Sequence, residues 1–237
     1  MPLPKINAPT YELVIPSSGK KIRYRPFLVK EEKILVIAME SNEIKDIARA
    51  VKQVLGNCIL SRGVKIDKLS TFDIEYLFLN VRGKSVGESV DIQVTCPDDG
   101  VTKVPVTVNL DEILVIEDPE HKKDIKLDDT LTLRMKYPSL DQFIADNFAV
   151  GPGFDQSLDM IVSCVDMIYS DEEEWTGADS TSKEMKEFLE QLGSKQFKEV
   201  EKFFTTMPKL KHEITVTNPK TKVDNVIPLE GLAAFFN

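Results

Sequence analysis

The chain has 237 residues, 42% of them hydrophobic, with 30 Lys and Arg against 39 Asp and Glu and a formal net charge of -9. That length buries enough apolar surface for one or two domains. The acidic balance excludes a general duplex-binding face, which needs clustered cations to neutralise phosphates, and disfavours an anionic membrane surface; no apolar run reaches the roughly 18 residues of a transmembrane helix.

The first element is a hairpin over 11–28, "YELVIPSSGKKIRYRPFL", in which two alternating runs flank the turn chemistry of "PSSGK" and Pro26 stops the second strand. "VKEEKILVIAMES" follows with helical spacing of Ile34, Leu35, Ile37 and Ala38. "NEIKDIARAVKQVLGNCI" is an amphipathic helix with Ile44, Ile47, Ala48, Val51, Val54 and Leu55 on one face. A third helix is predicted in "IDKLSTFDIEYLFLNVRGKSVG", with Thr71 as N-cap. A second hairpin, "VDIQVTCPDDGVTKVPVTVNLDEIL", closes this stretch.

After the charged segment "IEDPEHKKDIKLDD" the order restarts. "TLTLRMKYPSLDQFIADNF" reads as a strand ending at Pro138 and a short helix capped by Ser139. "DQSLDMIVSCVDMIYS" reads as one helix with Leu158, Ile161, Val162, Val165 and Ile168 on a stripe, and "EEEWTGADSTSK" as an exposed polar loop. "SKEMKEFLEQLGSKQFKEVEKFFTTMP" supplies one or two helices. The chain closes on another hairpin, "HEITVTNPKTKVDNVIPLEGLAAFF".

The order strand–proline–helix, helix with cysteine, Leu-Ser-capped helix, hairpin therefore occurs twice. The expected fold is α+β, in two similar halves from an internal duplication: residues 1–116, a linker at 117–126, and residues 127–237. Each half carries a hairpin resembling a metal-free zinc knuckle. A zinc ribbon places Cys-Pro-x-Cys at a hairpin tip because the knuckle aims two thiolates at one ion, and four ligands close a structural site. Here the two knuckles are Cys96-Pro97-Asp98-Asp99 and Asn218-Pro219-Lys220-Thr221, with one soft ligand of four, so no bound metal is expected. Pro-Asp-Asp-Gly is also turn chemistry in its own right. Cys58 and Cys164 sit among apolar neighbours and read as small buried side chains, and three sparse cysteines are no disulfide framework.

No catalytic constellation is legible. The chain lacks a nucleophile elbow, a P-loop, a zincin helix and a dinucleotide fingerprint. Of the two histidines, His121 lies in the charged linker and reads as solvated, and His212 opens a strand. The remaining signal is apolar. "EYLFLNV", "FFTTMP" and "LEGLAAFF" read either as core or as partner-docking patches, with Tyr76, Phe78, Phe203, Phe204, Met207, Leu229, Leu232, Phe235 and Phe236 as the candidate contact residues.

Three stretches carry a resemblance. The opening "LPKINAPTYELVIPSSGKKIRYRPFLVKEEKILVIAMES", the central "FDIEYLFLNVRGKSVGE" and the closing "FFTTMPKLKHEITVTNPKT…IPLEGLAAFF" resemble the baseplate hub proteins of T4-like contractile-tailed bacteriophages, a family that includes hub subunits and the hub assembly catalyst. The resemblance covers nearly the whole chain. It implies a non-enzymatic role in tail morphogenesis without a cofactor: an assembly factor or structural subunit of the baseplate hub, or a chaperone for the tape-measure protein or hub components. The implied partners are other phage tail proteins, the baseplate hub and the tape-measure protein. No membrane, nucleic acid or small-molecule substrate is expected. The implied location is the host cytoplasm during assembly and the tail baseplate of the virion. The resemblance also implies cysteine pairs in the hairpins of some members, from which this sequence departs at Asp99, Asn218 and Thr221. The alternative reading is a small metal- or nucleic-acid-binding module built on the two hairpins, for which "PKLKHEITVTNPKTK" supplies a locally basic stretch.

Overall fold

The computed structural model describes residues 6–41, 43–142 and 154–230. The fold is α+β, with several small antiparallel sheets and helices. The chain divides into two compact units, one formed by Met1–Ile116 with Lys209–Asn237 and the other by Glu117–Pro208.

In the first unit, β1 (Tyr11–Val14) and β2 (Lys21–Tyr24) form the expected hairpin, with Tyr11 opposite Tyr24 and Val14 opposite Lys21. Helix α1 (Val29–Glu40) buries Glu31, Leu35 and Ala38, while Ile37, expected on its inner face, is exposed. Helix α2 (Ile44–Cys58) buries Ala48, Val51, Val54, Leu55 and Cys58, spaced as one face of a 3.6-residue period demands. Helix α3 (Thr71–Val86) begins one residue earlier than expected: Ser70, not Thr71, is the N-cap. Asp73 decides this, because its carboxylate accepts the Ser70 amide at 3.3 Å and the Ser70 hydroxyl at 2.5 Å while Ser70 Oγ accepts the Asp73 amide.

The hairpin β3 (Ser89–Thr95) and β4 (Lys103–Asn109) follows, its inward residues Val90, Ile92 and Val94 alternating with exposed ones. A short strand, β5 (Leu114–Ile116), ends this part of the unit.

The second unit holds a four-stranded antiparallel sheet in the order β6 (Asp124–Lys126), β7 (Thr132–Met135), β8 (Val165–Tyr169), β9 (Glu174–Thr176). Ser139 caps a helical turn as expected: its hydroxyl accepts the Gln142 amide and Gln142 Oε1 accepts the Ser139 amide at 2.8 Å; residues 143–153 lie outside the described residues. The stripe read as one helix from Leu158 to Ile168 is split. Helix α4 (Phe154–Ser163) stops, and Val165–Tyr169 become β8. Val165 pairs with Met135 and Ile168 with Leu133, so β-branched side chains reach the core from a sheet instead of a helix. The segment read as a polar loop supplies β9, whose Trp175 pairs with Ile168. Gly177 permits this return, since a Cβ there would meet the Val165 carbonyl oxygen at 2.5 Å. Helices α5 (Ser182–Glu190) and α6 (Ser194–Thr206) then cover the sheet with Met185, Leu189, Val200 and Phe203.

The last hairpin, β10 (Lys209–Thr217) and β11 (Asp224–Glu230), returns to the first unit. The expected grouping of 127–237 is therefore not the compact one. Lys209 pairs with Ile116 and Lys211 with Leu114, making a three-stranded sheet in the order β11, β10, β5. Ile214, Val216 and Leu229 then share one core with Val90, Ile92, Val94 and Leu79. The expected linker 117–126 belongs to the second unit and contributes β6.

Candidate functional site

The tips of the β3–β4 and β10–β11 hairpins meet in the first unit. Each closes the same way. The amide four residues on donates to the opening carbonyl, Gly100 to Cys96 and Lys222 to Asn218, both at 2.9 Å. The donor residue in each case has a left-handed backbone, with φ of +67° at Gly100 and +65° at Lys222. The opening residue's own amide donates to the returning strand, Cys96 to the Thr102 carbonyl at 2.8 Å and Asn218 to that of Val223 at 2.9 Å.

Asp98 joins the tips. Its carboxylate accepts Asn218 Nδ2 at 2.9 Å and the Thr221 hydroxyl, and its amide donates to Asn225 Oδ1 at 3.0 Å. The hydrogen bonds from Asn218 and Thr221 hold the Asp98 carboxyl below the usual carboxylate range. Asn218 is fully buried, and its Oδ1 accepts the Lys220 amide at 2.9 Å. Asp99 turns back onto its own tip, accepting the Thr102 hydroxyl at 2.6 Å and the amides of Thr102 and Val101, which depress its pKa.

The four tip positions compared with a knuckle from the sequence carry distinct chemistry. Cys96 is a buried member of the hairpin core, its thiol pushed up first by burial and then by the charges of Asp98 and Asp99. Asp99, Asn218 and Thr221 are committed to hydrogen bonds. Among the described residues, no group of three or more His, Cys, Asp and Glu is arranged to hold a metal ion.

Two further clusters bear ionisable groups. In the first unit Glu31 is fully buried, pairs with Arg25 at 3.1 Å and accepts the Leu28 amide at 2.9 Å, which fixes the start of α1. Arg25 also approaches Cys58 Sγ at 3.8 Å, yet burial pushes the Cys58 thiol up to about 11. In the second unit His121, expected to be solvated, is half-buried between Tyr137 and Phe203, with ring centroids at 5.6 and 5.1 Å. Thr206 spends its hydroxyl proton on the Lys202 carbonyl at 2.7 Å, so its oxygen accepts from His121 Nδ1–H at 3.0 Å. Nε2 is then the acceptor for the Tyr137 hydroxyl at 3.1 Å.

The aromatic and apolar residues singled out from the sequence fall in both units. Phe78 and Leu229 are buried in the first unit and Phe203 in the second, and buried side chains present no surface. Tyr76, Phe204 and Met207 are half-buried. Leu232, Phe235 and Phe236 lie outside the described residues. The exposed apolar surface that sequence reading missed is on α1, where Val29, Val36, Ile37 and Met39 face outward. The signal was available in "VKEEKILVIAME", whose apolar residues exceed what one buried face accounts for. Asp98 carried no such signal, because its partners are on the other hairpin.

The family model described as T4 bacteriophage base plate protein matches residues 8–237. The chain belongs to this family. The match spans both units, so the paired tips and the inserted sheet are parts of a baseplate protein. Membership points to contacts with other phage tail and baseplate proteins, a place in the tail baseplate of the virion, and a structural, non-enzymatic role. Among the described residues, no helix is long and apolar enough to cross a membrane. No curated protein and no solved structure matches the chain.

Proposed function

We propose that this baseplate protein works at the hub, building the tail through protein–protein contacts with hub subunits and the tape-measure protein. The observation that carries the reading is the family match over residues 8–237, joined to a sequence without a catalytic motif. Half-buried Tyr76, Phe204 and Met207, with Phe235 and Phe236, are the contact residues this reading names. The test is co-expression with the hub and tape-measure proteins of the same phage, followed by light scattering of the purified complexes. A stoichiometric complex that is lost when Phe235 and Phe236 are replaced by serine, with the circular dichroism of the free chain unchanged, supports it. Absence of any complex defeats it, and a variant that no longer folds assigns the pair to the core. Mass analysis of purified virions separates a resident subunit from a passing chaperone.

The two hairpins are, in the same reading, copies of one ancestral knuckle. Their shared closure, an amide at the fifth tip residue returning to the first carbonyl with a left-handed backbone, supports the duplication.

A further inference from the structure

The outward side of α1 mixes exposed apolar side chains with the charges of Lys30, Glu32, Lys33 and Glu40, and nothing among the described residues packs on it. Val29 is 80% exposed, Ile37 56%, Val36 49% and Met39 38%, although Leu35 and Ala38 already bury the opposite side. Globular helices carry one apolar stripe, and a second, outward one marks an interface. The patch continues beyond the helix N-terminus, where Ile6, Leu28 and Val86 line a shallow groove with Val29.

The pattern along this face identifies what covers it. Val29, Lys33, Val36 and Glu40 recur at intervals of four, three and four, the spacing of a helix–helix seam. Lys33 and Glu40 are exposed and have no ion pair among the described residues. The seam is complementary to itself when reversed. If a second helix runs antiparallel about a point between Val36 and Ile37, Val36 of one copy meets Ile37 of the other. Lys33 then meets Glu40 twice, once on each side of the axis. A two-fold axis requires such self-complementarity, because each contact is made twice.

We propose that two copies of this chain associate through an antiparallel pairing of their α1 helices, with Lys33 of each copy set against Glu40 of the other. The inference rests on the exposure and charge order of α1 and stands apart from the hub reading.

Sedimentation equilibrium on the full chain tests it, with α1 variants at exposed positions so that the fold is kept. Wild type is expected to be dimeric at micromolar concentration. Lys33→Glu sets like charges against each other on both sides of the axis and is expected to weaken the dimer about tenfold or more. Combining it with Glu40→Lys restores the opposite signs and returns the affinity to near the wild-type value. Val36→Asp is expected to give a monomer with an unchanged circular dichroism spectrum. A wild-type chain that is monomeric throughout, or a double charge variant no better than Lys33→Glu alone, overturns the proposal. So does a monomer whose Val36→Asp variant loses binding to another tail protein, because the face then belongs to that protein. The sedimentation outcomes are read on the isolated chain, so a failed dimer leaves the hub reading standing.

Discussion

Asn218 donates from Nδ2 to Asp98 Oδ1 at 2.9 Å, joining two hairpin tips that lie 120 residues apart in the chain. A fully buried amide thus satisfies an exposed carboxylate on one side and its own tip on the other, where Oδ1 accepts the Lys220 amide. In a zinc knuckle the cross-link between tips is a metal ion. Here it is a set of hydrogen bonds among Asp98, Asn218, Thr221 and Asn225.

Asn218→Ala removes the cross-tip donor and leaves the Lys220 amide without its acceptor. The expected loss is about 0.5–1.5 kcal/mol, the net worth of an ordinary hydrogen bond, because Asp98 and Lys220 are exposed and can turn to water. Urea unfolding of the full chain reads it as a lower midpoint with an unchanged slope. Asn218→Asp, which removes the Nδ2 donor and sets a carboxylate against Asp98, is expected to be worse than alanine.

The left-handed residues at the two tips make a paired test. Gly100 has no atom within 4 Å of where a Cβ would sit, so Gly100→Ala suffers from backbone conformation alone, at a cost of about 1–2 kcal/mol. Lys222 already holds that conformation with a side chain attached, at φ +65°. Lys222→Gly is expected to raise stability by up to about 1 kcal/mol, the relieved strain being partly offset by the greater freedom of unfolded glycine. Opposite signs at equivalent tip positions, measured by thermal unfolding, are the result to look for.

Legibility in the sequence followed locality. The hairpins and helices α1 to α3 were readable because each is set by its own period and turn residues, as in the Ala48, Val51, Leu55 face of α2. The strand β8 was not, because Val165 and Ile168 fit a helical stripe equally well and only pairing with Met135 and Leu133 decides between them. The grouping of units was hidden for the same reason: it depends on Lys209 meeting Ile116, a contact without a local signal. At the candidate site Cys96 and Asn218 were found from the knuckle pattern, whereas Asp98, which occupies a spacer position in that pattern, proves to be the residue that ties the tips.

Glu31 and Arg25 form a second buried connection, between the end of β2 and the start of α1. The Glu31 side chain is fully buried and Arg25 is 15% exposed, so Glu31→Ala strands a largely desolvated guanidinium. The expected loss is about 3 kcal/mol, at the low end for breaking a buried pair because Arg25 retains some solvent. Glu31→Gln keeps an acceptor for the Leu28 amide and is expected to lose less. The difference between the two variants in denaturant midpoint reads what a neutral acceptor restores toward Leu28 and Arg25 once the charge is gone.

His121 gives the second unit a pH dependence of predictable sign. Burial lowers its pKa below the ordinary imidazole value; Lys123 lowers it further, while Glu117 and Asp118 oppose the shift. The unfolded chain therefore takes up the proton more readily than the folded one. Stability is fully present above the ordinary imidazole pKa and falls as pH drops through it toward the folded value. The neutral ring is also the one that fits, since Nε2 accepts from Tyr137 while Nδ1–H donates to Thr206. Thermal unfolding between neutral pH and mild acid is expected to show a falling midpoint that His121→Gln flattens, and the His121 ring protons should titrate below those of a free imidazole. A His121 titration at or above the free value would remove the basis for the slope.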